Sequence, residues 1–156
     1  MKDKVKYTLA IISLFLIDRL FKILVVSYLK TTVTLIPNML SLTYVKNIGA
    51  AFSLMEGKTP LLIIISLIAF FFLYKELITR KNRPIINLSY ILILGGILGN
   101  FYDRLVLSYV IDYISAIIFN YYFPIFNFAD MLIVIGVLIL IYGLWKDDKD
   151  EVRNKR

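Results

Sequence analysis

The stretch PIINLSYILILGGILGNFY, residues 84–102, decides the fold of this chain. Its 19 residues carry no charge, and a helix needs about 20 mainly apolar residues to cross roughly 30 Å of hydrocarbon. The proline at its start suits the first turn of a helix, because that position needs no backbone N–H donor. The stretch therefore predicts a membrane-spanning helix over about 84–103.

Three other stretches have the length and hydropathy of membrane spans. The whole composition agrees, because 60% of the residues are hydrophobic and 19% are charged, whereas a soluble domain carries about 25% charged residues. We therefore expect a single integral membrane domain over residues 1–156. The additional helices are predicted over about 7–29, 59–78 and 125–145.

A rival apolar stretch, 105–123, competes as a fifth span, and the basic residues argue against it. Twelve of the 18 Lys and Arg residues lie at the amino end, in the connection 75–83 and in the tail 146–156. Four spans place all three groups on one side, which the positive-inside rule assigns to the cytoplasm. The sequence thus predicts four helices, cytoplasmic termini and two extracytoplasmic segments, 30–58 and 104–124.

The extracytoplasmic segments differ from ordinary polar loops. Apolar and polar residues alternate over 39–46, and this stretch contains residues that favour β-strands. The pattern predicts a strand or small sheet at the membrane interface. Residues 101–128 hold ten of the 23 aromatic residues. That composition is typical of chain that rests in the headgroup layer.

The missing residue types exclude whole classes of chemistry. The chain has no His, which excludes a Ser-His dyad and a His-based zinc site. It has no Cys, which excludes a disulfide, a thiol nucleophile and a thiolate metal site. The net charge of +7 is interpreted as orientation at an anionic membrane and not as nucleic-acid binding.

Two carboxylates in apolar sequence have a cation close by. A charge at membrane depth is costly unless it is paired or hydrated. Asp18 and Lys22 are four residues apart on one helix face, so they can pair, and a structural or positioning role is favoured. Asp103 and Arg104 end the third helix, where Arg104 could anchor phosphate or backbone carbonyls, and a structural role is again favoured.

Asp112 and Asp130 have no cation within four residues of either. Two converging carboxylates without such neutralisation are what acid-base hydrolysis would need in a chain without His or Cys. Spacing alone leaves a structural role open for both. Asn47, Asn100 and Asn127 accompany them, and their amides could orient a peptide backbone or the acids themselves.

Five short blocks, taken in chain order, carry a resemblance to a known family. The blocks are Asp18-x-x-x-Lys22, Asn47-x-Gly-Ala-Ala-Phe52, Gly95-Gly-x-x-Gly-Asn100-x-x-Asp-Arg104, Val110-x-Asp112-Tyr and Phe126-Asn127-x-Ala-Asp130. Together they span nearly the whole chain and resemble lipoprotein signal peptidase (signal peptidase II), the aspartic peptidase of bacterial membranes. The family often has Gln after its first aspartate, where this chain has Arg19.

The resemblance implies an all-α polytopic peptidase of four transmembrane helices, with a small extracytoplasmic β-cradle and a short interfacial helix. It implies a bacterial cytoplasmic-membrane enzyme, monomeric and in contact with membrane lipids. Its site would lie near the extracytoplasmic face and cut lipid-modified prolipoproteins before the diacylglyceryl-modified cysteine. Asp112 and Asp130 map onto the catalytic pair. The supporting or substrate-binding positions map onto Asp18, Lys22, Asn47, Asn100, Asp103, Arg104 and Asn127. The resemblance implies no metal or organic cofactor, consistent with the missing His and Cys ligands.

Two other classes of protein compete with this interpretation. A small membrane transporter or proton channel would use intramembrane carboxylates as a relay, with acids spread through the membrane depth and often an inverted repeat. In this sequence the unpaired acids lie on one side and no repeat is visible. A noncatalytic assembly factor would need packing glycines but no converging acids.

Overall fold

The computed structural model describes residues 2–49, 57–79 and 83–154. Residues 50–52 of the second sequence block therefore lie outside the described part, as do Arg80 and Lys81. The helices are α1 (Lys2–Tyr28), α2 (Thr59–Thr79), α3 (Pro84–Leu107) and α4 (Phe128–Asn154). The strands are β1 (Val33–Ile36), β2 (Leu40–Asn47), β3 (Val110–Ile118) and β4 (Tyr121–Tyr122).

Three helices of the described chain, α2, α3 and α4, are long and apolar enough to cross a membrane. Their mean hydropathies are 2.3, 1.6 and 2.3. The remaining helix, α1, has 27 residues but carries charged residues in its middle. The rival stretch 105–123 forms no fifth helix, because it contains the end of α3 and the strands β3 and β4.

Capping residues explain why two helix boundaries differ from the prediction. α3 continues past residue 103 to Leu107 and stops at Ser108, which has a left-handed φ of 67° and donates its backbone N–H to the Arg104 carbonyl. α4 begins at Phe128 and not at 125. Asn127 accepts the Asp130 backbone N–H, and Asp130 accepts the Asn127 backbone N–H. This reciprocal capping box fixes the start of α4.

α3 is the central helix, and it contacts each of the other three. Two of its glycines allow an approach that a larger residue would prevent. A Cβ at Gly96 would lie 2.3 Å from the Ala129 carbonyl oxygen, and one at Gly99 would lie 2.5 Å from Asp18 Oδ2. The start of α4 and the charged middle of α1 are thereby held against the C-terminal half of α3.

The strands form one antiparallel sheet in the order β1-β2-β3-β4. β2 confirms the strand predicted over 39–46. β3 was not predicted, because residues 101–128 were interpreted only as aromatic chain at the interface. Among the described residues no helix exists besides α1 to α4, so the expected short interfacial helix is not found there. In the β2–β3 register Val45 lies opposite Asp112 and Asn47 opposite Val110.

Candidate active site

All nine residues singled out in the sequence meet where the sheet joins the helices. α1 and the last turns of α3 supply four charged side chains and Asn100, and the first turn of α4 supplies Asp130. β2 and β3 supply one residue each, and Asn127 precedes α4. The residues in order are Asp18, Lys22, Asn47, Asn100, Asp103, Arg104, Asp112, Asn127 and Asp130.

Asp112 lies near the start of β3 with both carboxylate oxygens bound by amides. Asn47 Nδ2 donates to Oδ2 over 2.8 Å, and Asn127 Nδ2 donates to Oδ1 over 2.6 Å. The side chain is buried. Burial, followed by the neighbouring charge of Asp130, raises the pKa of Asp112 to about 6. The carboxyl group can therefore change its protonation near neutral pH.

Asp130 is the third residue of α4, and the capping box fixes its carboxylate. The Asn127 backbone N–H donates to Oδ2 over 3.1 Å, and Asn100 Nδ2 donates to Oδ1 over 2.7 Å. The positive end of the helix dipole also favours a negative charge at this position. The same contacts that begin the helix thus orient this acid.

Asn127 joins the two acids. Its side-chain N–H groups donate to Asp112 and, over 3.2 Å, to Asn100 Oδ1. Its side-chain oxygen accepts the Asp130 backbone N–H over 2.9 Å. The side chain is fully buried, and both of its polar atoms have partners. Asp112 and Asp130 therefore converge, as the sequence predicts, because Asn127 binds a carboxylate oxygen of each.

A fully buried ion cluster lies beside the acids. Lys22 Nζ is 2.9 Å from Asp18 Oδ2, 2.8 Å from Asp103 Oδ2 and 3.1 Å from Asn100 Oδ1. The i to i+4 pairing of Asp18 with Lys22 is therefore confirmed. The contact between Lys22 and Asp103 joins α1 to α3, which no local spacing could predict.

The two carboxylates of this cluster also hold backbone next to the acids. Asp18 Oδ1 accepts the Ala129 N–H over 3.1 Å, and Ala129 directly precedes Asp130. Asp103 Oδ2 accepts the Ile111 N–H over 3.1 Å, and Ile111 directly precedes Asp112. One buried carboxylate therefore anchors the backbone of each acid.

Two arginines lie beside the two acids and the buried ion cluster. Arg104 Nη2 donates to the Gly49 carbonyl over 3.1 Å, as expected for a residue that could anchor backbone carbonyls. Arg19 pairs with Asp103 and lies over the Tyr102 ring, 4.7 Å from its centroid. Sequence reasoning missed this role for Arg19. The available signal was that Asp103 in apolar sequence needs a cation.

Within the described ranges, no group of three or more Asp or Glu side chains could hold a metal ion. The polar partners of the two acids are amides and backbone N–H groups, which donate hydrogen bonds to carboxylate oxygens. Such a site can carry acid-base chemistry through its two carboxyl groups.

Comparison with known proteins decides the family. The model of the family described as signal peptidase (SPase) II matches residues 10–146 of this chain. The chain belongs to the signal peptidase II family. It is a peptidase, of the aspartic type by family, and the resemblance stated from the five blocks is confirmed. The transporter alternative is not favoured.

Individual relatives agree over nearly the full length. The chain is 42% identical to a lipoprotein signal peptidase of Clostridioides difficile, over 92% of this chain and 97% of that relative. It is 38% identical to one of Caldicellulosiruptor bescii, over 96% and 97%. A bacterial membrane enzyme solved by the in meso method at 2.3 Å superposes with a TM-score of 0.86 and 32% identity, over 93% of this chain and 90% of that chain.

Proposed function

We propose that this chain removes the signal peptide of bacterial prolipoproteins by cutting before the diacylglyceryl-modified cysteine, with Asp112 and Asp130 as its catalytic pair. The observation that supports the assignment best is their shared partner, Asn127, which binds a carboxylate oxygen of each. The other seven residues named from the sequence position the pair or bind substrate. Membership of the signal peptidase II family supports the substrate class.

The chemistry follows from two neighbouring carboxyl groups. They resist being ionised together, so one keeps a proton while the other is a carboxylate. The carboxylate removes a proton from water, and the water oxygen attacks the scissile carbonyl carbon. The protonated partner donates its proton to the carbonyl oxygen. When the C–N bond breaks, the carboxyl group that took the proton from water gives it to the leaving amine. The other carboxylate takes a proton back from a hydroxyl of the tetrahedral intermediate, which becomes the new carboxyl group, so the pair again holds one proton.

Burial divides the supporting residues into two roles. Lys22, Asp18 and Asp103 are fully buried, so they position the pair and do not contact substrate. Asn47 and Arg104 are only partly buried, and they lie beside the acids at the end of the sheet. Their polar groups are suited to hold an extended substrate backbone, which is required because a helix hides its peptide bonds.

We further propose that α1 is a fourth transmembrane helix. Its central charges lower its hydropathy, but Asp18 and Lys22 are paired inside the protein and Arg19 pairs with Asp103. Pairing removes much of the cost of placing charges at membrane depth. The outward residues of α1, among them Leu9, Leu16 and Ile23, are apolar and exposed as lipid contacts require.

The topology that accompanies this proposal places both termini in the cytoplasm and the site near the extracytoplasmic face. Reporter domains fused after Lys6 and after Trp145 should report the cytoplasm. A reporter at Lys58 should report the opposite side. An external tail would contradict four spans. The protein is further expected to be a monomer in contact with lipids of the bacterial cytoplasmic membrane.

Substrate choice tests the proposed function directly. Purified protein in lipid vesicles is given a prolipoprotein precursor with or without the diacylglyceryl group on its cysteine, and products are identified by mass spectrometry. Cleavage is expected only for the lipidated precursor, because each methylene buried in lipid contributes about 0.8 kcal/mol to holding the cysteine at the membrane. Equal rates on both precursors would remove this substrate class and leave a peptidase of other specificity.

A further inference from the structure

The sequence block Val110-x-Asp112-Tyr ends in Tyr113, a residue without a role in the site or in the proposed reaction so far. Tyr113 lies in β3 directly after Asp112, and neighbouring residues of a strand point to opposite faces of the sheet. Its side chain is 6% exposed and packs in an apolar cluster with Val25 of α1 and Ile111. Tyr113 is therefore next to a proposed catalytic acid in the chain, but its ring lies on the other face of the strand.

The Tyr113 hydroxyl has its partner at the start of α4. Its oxygen accepts a hydrogen bond from the backbone N–H of Phe128, the first residue of that helix. The Phe128 side chain also packs against the apolar cluster that contains Tyr113. Burying a hydroxyl costs free energy unless the group is hydrogen-bonded, so this contact explains how a tyrosine is accommodated at a buried position.

The first N–H groups of a helix have no carbonyl partner within it, and in α4 each of the first three has a partner outside the helix. The second and third donate to Asp18 Oδ1 of α1 over 3.1 Å and to the Asn127 side chain over 2.9 Å. The first, that of Phe128, donates to the Tyr113 hydroxyl. Side chains from α1, from β3 and from the residue before the helix thus each hold one position of the turn that carries Asp130.

Backbone hydrogen bonds attach the segment before α4 to β3 at the same place. The N–H groups of Tyr113 and Ile114 both donate to the Phe126 carbonyl, over 3.0 and 2.8 Å, and the Phe126 N–H donates to the Ile114 carbonyl over 3.0 Å. The Tyr113 hydroxyl extends this attachment to the first residue of α4. Since Asp112 precedes Tyr113 and Asp130 is the third residue of α4, the hydroxyl connects the two short segments that carry the acids.

We propose that Tyr113 is a positioning residue for the catalytic pair, because its hydroxyl fixes the first turn of α4 on β3 and so sets the separation of Asp112 and Asp130. This role rests on the proposed function, since it concerns the pair that would carry the reaction. Tyr113 is buried and lies on the opposite face of the strand from Asp112. It therefore acts through the backbone of Phe128 and not by contact with substrate.

The contact between Tyr113 and Phe128 is constant over the pH range in which the two acids titrate. Burial raises the pKa of the Tyr113 hydroxyl above the roughly 10 of a free tyrosine. The hydroxyl is therefore neutral throughout that range. A change in the pH dependence of a Tyr113 variant consequently reports on the acids and not on the tyrosine itself.

Removing the hydroxyl alone tests the proposal. Tyr113→Phe keeps the ring in the apolar cluster and leaves the Phe128 N–H without its partner. Tyr44→Phe is the matched control, because Tyr44 packs against the same cluster and its hydroxyl lies 3.3 Å from that of Tyr109, outside α4. Thermal unfolding should show a similar small loss of stability in both variants, so stability alone would not explain a difference in activity.

Amide hydrogen exchange of the full chain, followed by NMR in detergent micelles, reports on the contact without any substrate. The Phe128 N–H should exchange on the order of tenfold faster in Tyr113→Phe than in the unmodified chain, and at an unchanged rate in Tyr44→Phe. An unchanged rate in Tyr113→Phe would show that the hydroxyl does not hold the start of α4, which overturns the proposal. Since no cleavage is measured, failure here is distinguishable from failure of the proposed function.

Steady-state kinetics with a lipidated prolipoprotein precursor report on the acids. In Tyr113→Phe, kcat should fall about tenfold and KM should change by less than about twofold, because a displacement of reacting groups by about 1 Å can cost up to about 10²-fold in rate. The alkaline limb of the kcat/KM profile should shift to lower pH, since acids that lie farther apart repel each other less. Tyr44→Phe should match the unmodified chain in both. An equal kcat and an unshifted limb in Tyr113→Phe, despite faster exchange at Phe128, would restrict the hydroxyl to capping α4 and overturn the positioning role.

Discussion

Two pairs of carboxylates lie next to each other in this molecule, and their partners differ in kind. Asp18 and Asp103 share the ammonium group of Lys22. Asp112 and Asp130 are held by the neutral amides of asparagines and by backbone N–H groups. Asp18 and Asp103 are thus held by an opposite charge, whereas the partners of Asp112 and Asp130 are neutral hydrogen-bond donors. The role of each aspartate therefore follows from the groups that bind it and not from the residue type alone.

The comparison also explains why both pairs are needed. Asp18 binds the backbone N–H that precedes Asp130, and Asp103 binds the one that precedes Asp112. Asp18 and Asp103 thus fix the chain at both positions where the proposed catalytic pair is attached.

The largest expected effect comes from removing the ionisable group of either proposed catalytic acid. Asp112→Asn and Asp130→Asn keep the size of the side chain but cannot exchange a proton. Cleavage of a lipidated precursor should fall by about 10²–10⁴-fold in each variant, while folded protein is retained in the membrane. Initial rates and thermal unfolding, measured on the same preparations, check both parts.

Asp147→Asn is the matched control for those variants. Asp147 pairs with Arg83 over 2.9 Å, and 47% of the Arg83 side chain and 40% of the Asp147 side chain are exposed. An exposed pair contributes little, so activity and stability should both stay near those of the unmodified chain. Substantial turnover by Asp112→Asn or Asp130→Asn, against this control, would remove the assignment of the pair.

The next effect concerns stability and not chemistry. Lys22→Met leaves two buried carboxylates without their shared cation, and breaking a buried ion pair costs about 3–5 kcal/mol. The free energy of unfolding in detergent should fall by that amount. Replacing Asp18 by Asn in the same chain should restore part of it, because one buried charge is then removed. Unchanged stability with lost activity would instead place Lys22 in the chemical step.

The fold was predicted to the extent that it depends on long apolar runs. The four helices follow from such runs, but the start of α4 depends on the capping box of Asn127 and Asp130, whose residues were interpreted only as site residues. β3 was missed because its first residues, Val110 to Tyr113, are all buried. A strand buried on both faces loses the alternation that marks a strand in sequence.

The site was predicted where its contacts are local. The pairing of Asp18 with Lys22 follows from a spacing of four residues on one helix. The contact of Lys22 with Asp103 joins residues 81 positions apart in the chain, and only the packing of α1 on α3 creates it. For the same reason Arg19 was described from the sequence as a departure from the family and not as the partner of Asp103.

A third effect concerns the pH dependence of stability, and it distinguishes the two pairs directly. Burial and the charge of Asp130 raise the pKa of Asp112 from 3.8 to about 6 in the folded chain. Between these values the folded chain binds more protons than the unfolded chain, so the unfolding free energy falls as pH rises. The loss is on the order of 2–3 kcal/mol, complete above about pH 6.

Asp112→Asn should remove that dependence. Chemical unfolding at several pH values between 4 and 7 measures it as the difference between the unmodified chain and the variant. The variant should gain stability relative to the unmodified chain as pH increases through this window. A difference that stays constant with pH would show that the folded chain does not perturb Asp112.

The smallest expected effect comes from Arg19→Gln, which substitutes the residue that the family often has. Asp103 is fully buried, but it has two cations, and Arg19 is the outer one with 17% of its side chain exposed. Removing Arg19 leaves Asp103 in contact with Lys22 over 2.8 Å and with the Ile111 N–H. The carboxylate is then still paired, so we expect a loss of only about 1 kcal/mol in unfolding free energy and nearly full activity. Arg19→Lys, which keeps the charge but cannot stack its planar group on Tyr102, should lose less. If Arg19→Gln destabilises the chain as much as Lys22→Met, then Asp103 depends on Arg19 for its stability. Lys22 would then not be the main partner of Asp103.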